Sequence, residues 1–385
     1  MEIKDKIMYI GVNDRKTDLF EGQFSIPDGI SYNSYVIIDE KIAVCDTVDA
    51  KFGEEWLKKL KNELGEREPD YLIIHHMEPD HSSSISAFCE IYKNTIVVSS
   101  KMSFAMMRQF YGLDLAKRQM AISEGDTLSL GKHTLQFISA PMVHWPEVMM
   151  SFDTHSHVLF SADAFGKFGI GGDIEKWDEE ASRYYFGIVG KFGAQVQALL
   201  KKADKLKIKT ICPLHGPILD KNVSKYIDYY KKWSSYTPDK DGVFIAYSSV
   251  YGNTKNAVEY LYECLKQKGV SDIVIRDLAR HDIYESVALA FRYKSVVLAT
   301  TTYNTGIFPC MHTFVSYLAE RGFSSERVGI IENGTWAPTC ERIIKEMLSK
   351  TKTQFLPCKV SILSALNESS REQIKIMADV LAEKK

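Results

Sequence analysis

The sequence has no C-x-x-C pair: its seven cysteines, Cys45, Cys89, Cys212, Cys264, Cys310, Cys340 and Cys358, are dispersed. That spacing excludes a rubredoxin-type or iron–sulfur centre within the chain and argues for reduced thiols, most of them small core residues, over a disulfide framework. No hydrophobic run approaches the length of a membrane span. Met1-Glu2-Ile3-Lys4-Asp5-Lys6 lacks the apolar core of a signal peptide, so a cytoplasmic location is expected. Neither sign of charge dominates. The formal net charge is -2, which gives no reason to expect nucleic acid or an anionic membrane as partner. Also missing are a G-x-G-x-x-G and the lysine of a P-loop, so NAD and ATP fit poorly. What remains is the balance of a globular protein, 45% hydrophobic and 25% charged over 385 residues, enough for two cores.

What is present is concentrated in His75-His76-Met77-Glu78-Pro79-Asp80-His81. This stretch follows Tyr71-Leu72-Ile73-Ile74, which reads as a buried strand, and precedes Ser82-Ser83-Ser84, which can open a helix. Four metal-ligand types, His76, Glu78, Asp80 and His81, therefore sit on one strand-to-helix loop. In an extended segment the His-x-Glu-x-Asp alternation presents its side chains to one side. The alternative is a polar loop that is rich in histidine and acid by chance.

Around it, residues 31–48 read as a hairpin: Ser31 to Ile38, a turn at Asp39-Glu40, and a return from Lys41 to Asp46. A helix is expected from Phe52 to Leu64, a strand from Thr95 to Ser99 and a helix from Met102 to Tyr111. Further strands are expected at 127–130, 133–138, 148–152 and 158–161. Hairpins mixed with α/β units suggest an αββα layered domain.

Three of the later strand ends carry further candidates. His144 follows Ser139-Ala140-Pro141, Asp163 follows Leu159-Phe160-Ser161-Ala162, and His215 follows Thr210-Ile211-Cys212-Pro213-Leu214. Singly, His144 reads equally as a core histidine, Asp163 as a cap and His215 as a turn residue. Together with the first loop they form a set that suits two metal ions bridged by a carboxylate, with Asp163 as the natural bridge. Oxygen and imidazole donors without thiolate favour iron or manganese over structural zinc.

The αββα pattern with ligands at strand ends resembles the metallo-β-lactamase fold, whose zinc hydrolases carry His-x-His-x-Asp-His. Glu78 stands here in place of the second histidine. With His144-Trp145-Pro146-Glu147, Ser161-Ala162-Asp163-Ala164-Phe165-Gly166, Pro213-Leu214-His215-Gly216-Pro217, Phe20-Glu21-Gly22 and Ser31-Tyr32-Asn33-Ser34-Tyr35, the chain resembles the flavodiiron proteins (A-type flavoproteins). The resemblance implies one iron on His76, Glu78, His144 and bridging Asp163. It implies a second on Asp80, His81, His215 and Asp163.

The stretch Tyr226 to Asp241, ending at Thr237-Pro238-Asp239-Lys240, is the best linker candidate. It divides the chain into expected domains at 1–240 and 241–385. Beyond it, strands are expected near 243–247, 273–277, 295–300, 328–332 and 357–361, and helices near 254–267, 310–320, 338–349 and 369–383. That alternation argues for a doubly wound five-stranded parallel sheet with ligands at the carboxyl ends of its strands. Three loops there carry chemistry. Ser248-Ser249-Val250-Tyr251-Gly252-Asn253-Thr254 can surround a phosphate at a helix N-terminus. Thr301-Thr302-Tyr303-Asn304-Thr305-Gly306 and Asn333-Gly334-Thr335-Trp336 offer Tyr303 and Trp336 to a flat ring, although both are also ordinary core aromatics. The set looks like flavodoxin and its FMN, and flavodiiron proteins carry such a domain second.

The resemblance then implies reduction of O2 to water and/or NO to N2O, at two irons per chain supplied by FMN. It implies a head-to-tail homodimer, or a homotetramer built on it, and a separate electron donor: rubredoxin or its reductase, or deazaflavin F420 as in archaeal relatives. A zinc hydrolase of the same fold and a plain FMN electron carrier are the alternatives. Lys201-Lys202 to Lys209 reads as a solvated face before it reads as a docking site for an acidic donor.

Overall fold

Strand alternation builds the first core. In Tyr35–Ile38, Ile42–Cys45 and Tyr71–Ile73, the side chains of Tyr35, Ile37, Ala43, Cys45, Tyr71 and Ile73 point one way. They meet Leu128, Leu135, Phe137, Met149, Val158, Phe160 and Cys212 from a second sheet. The alternate residues Val36, Val44, Leu72 and Val97 are also fully buried, so the first sheet is covered on both faces. Each such side chain contributes roughly 1.5–3 kcal/mol of burial, which makes the layer between the sheets the main source of stability.

The computed structural model describes residues 1–170 and 176–383. The seven-stranded sheet runs Glu2–Lys4, Ile7–Tyr9, Tyr35–Ile38, Ile42–Cys45, Tyr71–Ile73, Ile96–Ser99, Gln119–Ala121. Its first three pairings are antiparallel and its last three parallel. The five-stranded sheet runs Thr127–Ser129, Thr134–Ser139, Met149–Asp153, Val158–Phe160, Thr210–Cys212. Only its last pair is parallel.

Contacts divide the chain into two compact units, Met1–Tyr185 with Phe192–Lys231, and Phe186–Lys191 with Lys232–Lys385. The second unit holds a sheet ordered Ile273–Asp277, Lys240–Tyr247, Tyr293–Tyr303, Val328–Asn333, Val360–Ile362, all parallel, with Gly306–Ile307 folded back onto Tyr293–Tyr303. Taken in chain order the strands lie 2-1-3-4-5, the flavodoxin-like doubly wound arrangement. One face is covered by the helices Asn253–Gln267 and Glu368–Ala382 through Leu261, Leu265, Ile374 and Met377.

Four expectations change. The linker read at Tyr226–Asp241 is helical through Ser234, within Val223–Ser234. Val223, Tyr226, Tyr230 and Trp233 recur at helical spacing and are buried, a period hidden among lysines. The second unit has a further helix, Ile283–Arg292, supplying the crossover from its second strand to its third. The strand expected over Ser31 to Ile38 breaks at Asn33-Ser34: Ile30–Tyr32 pairs with Val12–Asp14, and Tyr35–Ile38 with Ile7–Tyr9 and Ile42–Cys45. Last, Pro79–Ser82 is a helical turn and not extended chain, with consequences at the site.

Candidate functional site

Each candidate ligand leaves the carboxyl end of a strand. Val158–Phe160 runs parallel to Thr210–Cys212, with Phe160 opposite Cys212. The loops bearing Asp163 and His215 therefore leave the sheet side by side. The loop after Tyr71–Ile73 is joined to the second sheet where Met149 N–H donates to the His75 carbonyl.

Pro79 occupies the first position of its helical turn, where its fixed φ fits and its missing N–H costs nothing. The buried Ser82 hydroxyl holds the turn, reaching the carbonyls of Met77 and Glu78 at 2.8 and 2.9 Å and Tyr111 Oη at 2.6 Å. The turn separates Asp80 and His81 from His76 and Glu78. The seven residues thus form two groups: His76, Glu78, His144 and Asp163, and Asp80, His81 and His215.

In the first group His144 Nε2 lies 3.1 Å from Glu78 Oε2 and 3.1 Å from Asp163 Oδ2, and His76 Nε2 lies 3.2 and 3.5 Å from the same two oxygens. In the second, Asp80 Oδ2 stands 3.3 Å from both His81 Nε2 and His215 Nε2, which are 3.0 Å apart. Asp163 Oδ1 completes it, 3.2 Å from His81 Nε2 and 3.8 Å from His215 Nε2. The two oxygens of Asp163 face different groups. A tetrahedron with edges of this size has its centre about 2 Å from each corner, a normal distance for nitrogen and oxygen ligands. Neither Asp80 oxygen makes a hydrogen bond among the described residues, although both are buried. Two imidazole nitrogens facing each other beside unbonded carboxylate oxygens suit a shared cation better than they suit each other.

The second ring nitrogens orient the imidazoles. His76 Nδ1 is 2.8 Å from Glu147 Oε1, and His215 Nδ1 is 2.8 Å from the Ser31 carbonyl. Nδ1–H donation leaves each Nε2 lone pair free for a metal. Asn33 donates its amide to the carbonyls of Pro213 and Gly216, and Ser31 Oγ accepts from Gly216 N–H. The break at Asn33-Ser34 is therefore the clamp on the His215 loop. Phe20 and Tyr32 set their rings edge-on to His215, at 5.3 and 5.9 Å, and Trp145 sets its own edge-on to His76 at 5.2 Å.

Electrostatics follow from this crowding. Burial alone would lower the basicity of His144, but Asp163 and Glu78 outweigh it and push its pKa up to about 9. His76 is raised well above the usual imidazole range against the same burial penalty, chiefly by Asp163 and Glu147, and His81 is raised by Asp80 and Asp163. Burial would raise Asp163, yet His76 and His81 hold it well below the carboxylate range.

In the second unit the three loops meet at the carboxyl ends of Lys240–Tyr247, Tyr293–Tyr303 and Val328–Asn333. A cleft there is lined by Ser249, Val250, Tyr251, Asn253, Thr254, Thr301, Thr302, Asn333, Gly334, Thr335, Trp336, Ala337 and Ser364. No charged side chain lines it among the described residues, so an anionic group would meet hydroxyls and the N-terminus of the Asn253–Gln267 helix. Trp336 and Tyr251 are 90% and 92% exposed at this cleft, free faces for a flat ring. Six expected contacts are not on its wall. Ser248 is buried, its hydroxyl 2.7 Å from Thr300 Oγ1. Gly252, at φ 89, caps the helix. Tyr303, Asn304, Thr305 and Gly306 form a two-residue hairpin with Asn304 and Thr305 at positive φ.

Sequence reasoning left Glu147, Ser31 and Asn33 without a role, although each lies in a stretch quoted above. Ser364 and Ala337 carried no signal, being small residues outside the three loops.

A family model described as "ODP family beta lactamase" matches residues 30–216. A nitric oxide reductase of Moorella thermoacetica is 28% identical over 365 residues, covering 92% of this chain and 90% of that protein. The flavodiiron protein of Giardia intestinalis superposes with a TM-score of 0.91 at 25% identity, covering 99% of this chain and 95% of the other. Rubredoxin oxygen:oxidoreductase from Desulfovibrio gigas gives 0.91 at 23% identity, covering 99% and 97%, a likeness of fold.

Proposed function

We propose that this chain, which belongs to the flavodiiron proteins, is a reductase that converts O2 to water and/or NO to N2O. The observation that carries the reading is the pair of donor groups sharing Asp163, one oxygen to each.

When bound, two ferrous ions and reduced FMN supply four electrons, enough to take O2 to two waters or two pairs of NO to N2O and water. His76, Glu78, His144 and Asp163 would hold one ion, and Asp80, His81, His215 and Asp163 the other. Three carboxylates offset most of the charge of two divalent ions, and four imidazoles complete the set without thiolate. Phe20, Tyr32 and Trp145 close aromatic edges around the imidazoles and limit the approach of bulk water. FMN would occupy the cleft, its phosphate against Ser249, Asn253 and Thr254 and its ring beside Trp336. A convergent seven-residue donor set disfavours a plain electron carrier, and Glu78 with the flavodoxin-like unit disfavours the hydrolase.

The cysteines are all free, five of them buried. The electron donor would be rubredoxin or its reductase as the favoured class, with F420 the other. A head-to-tail homodimer, alone or paired as a tetramer, would bring one copy's flavin to the other's metal centre.

The deciding experiment mixes fully reduced, anaerobic protein with O2 and with NO in separate stopped-flow runs, with iron and FMN quantified on the same sample. Rapid oxidation by one gas, with water or N2O formed, is the expected result and names the substrate. Two bound irons with slow oxidation by both gases refutes the reductase reading, and zinc in place of iron restores the hydrolase.

A further inference from the structure

Of the four imidazoles in the two donor groups, only His76 has a carboxylate on its distal nitrogen among the described residues. His76 Nδ1 donates to a carboxylate oxygen, Glu147 Oε1, at 2.8 Å, and that oxygen also accepts from Met77 N–H at 2.9 Å. Glu147 is 2% exposed, and its other oxygen, Oε2, is buried without a hydrogen-bond partner among the described residues. Its charge is therefore directed at His76 and the backbone beside it. Across the site the support is weaker. His215 Nδ1 has a neutral carbonyl, that of Ser31, as its partner. His81 Nδ1 is buried and has no hydrogen-bond partner among the described residues.

A carboxylate on the distal nitrogen gives an imidazole more anionic character and makes it a stronger metal donor than a carbonyl does. We propose that Glu147 is a positioning residue that makes the two metal positions unequal. Through His76 it makes the position bounded by His76, Glu78, His144 and Asp163 the tighter of the two, filled before the position bounded by Asp80, His81 and His215. This rests on the metal-centre reading above. It extends that reading by assigning an order of filling and a residue that sets it.

The test is anaerobic loading of apo-protein with one equivalent of 57Fe(II) per chain, read by Mössbauer spectroscopy and by competition with a ferrous chelator. The wild type is expected to show one dominant ferrous environment at one equivalent and a second only as the next equivalent is added. In Glu147→Gln the amide oxygen still accepts from His76 and Met77, but the charge is gone. The first binding step is then expected to weaken by about 10- to 100-fold, the second to change little, and iron at one equivalent to spread over both environments. His76→Ala should abolish the tight step and His81→Ala the weak one, which assigns the steps. Circular dichroism and thermal melting of apo Glu147→Gln check that the fold persists.

A wild-type spectrum at one equivalent that already matches the fully loaded protein overturns the proposal. So does a Glu147→Gln spectrum and affinity identical to wild type, or an equal loss at both steps. Failure of the wild type to bind ferrous iron at all refutes instead the metal-centre reading on which the proposal rests.

Discussion

Asp163 Oδ2 lies 3.1 Å from His144 Nε2, while the same carboxylate's Oδ1 turns away toward His81. One side chain is thus committed to both donor groups. Asp163→Asn should lower iron from two to at most one per chain and reduce turnover by at least about 100-fold, since the amide offers a single weak donor oxygen. Metal analysis and steady-state gas consumption on the same preparation check this. Retention of two irons would remove Asp163 from the bridge.

The imidazoles predict a pH dependence of the metal-free protein. His144 has a folded-state pKa of about 9 against an unfolded value near 6.5. A raised pKa gives stability that is present in full below about 6.5 and lost as pH rises through about 9. The apo-protein should therefore be less stable at pH 9 than at pH 6.5, by up to on the order of 3 kcal/mol from this group, and melt at a lower temperature there. Metal loading should abolish the trend and release protons at neutral pH, measured with an indicator dye during titration. An apo melting temperature that rises over this window would contradict the assignment.

Asn33 is fully buried and holds the His215 loop through Pro213 and Gly216. Pro213 O keeps a second donor in Tyr35 Oη, so Asn33→Ala leaves chiefly the Gly216 carbonyl bare. A cost of about 1–3 kcal/mol is expected, with selective loss of the metal held by His215. Thermal melting and iron stoichiometry measure the two effects separately.

At the cleft of the second unit, Trp336→Ala should weaken FMN binding roughly 2- to 12-fold, the scale of an aromatic stacking contact. Flavin fluorescence titration of the apo-flavoprotein reads it directly, and iron content should be unchanged. Unaltered affinity would place the ring elsewhere.

Much of this was legible because histidines and acids sit immediately after apolar strands, where side-chain chemistry stands out. All seven ligand candidates fell in such places, and a doubly wound parallel sheet of five strands followed from strand and helix alternation, while its 2-1-3-4-5 order came only with the structure. The grouping was not legible from residue types alone, because it depends on Pro79 starting a helical turn where alternation suggested extended chain. The role of Glu147 required knowing which nitrogen of His76 it meets. The helix Val223–Ser234 was masked by Lys225, Asp228, Lys231 and Lys232, which make its composition resemble a linker. The strands between Glu2 and Ser25 are two or three residues long, too short for a period of two to declare itself.

The parallel pairing of Val158–Phe160 with Thr210–Cys212 bears on how this chain can change length. The ligand loops after these strands are fixed by adjacent strands, whatever the length of the chain between the Asp163 loop and Thr210. Lengthening that excursion at the exposed turn Asp204–Lys207 adds only about 0.6 kcal/mol of closure entropy per doubling. The fold can therefore accept a grafted segment there, a docking arm or a reporter, while Asp163 and His215 keep their places.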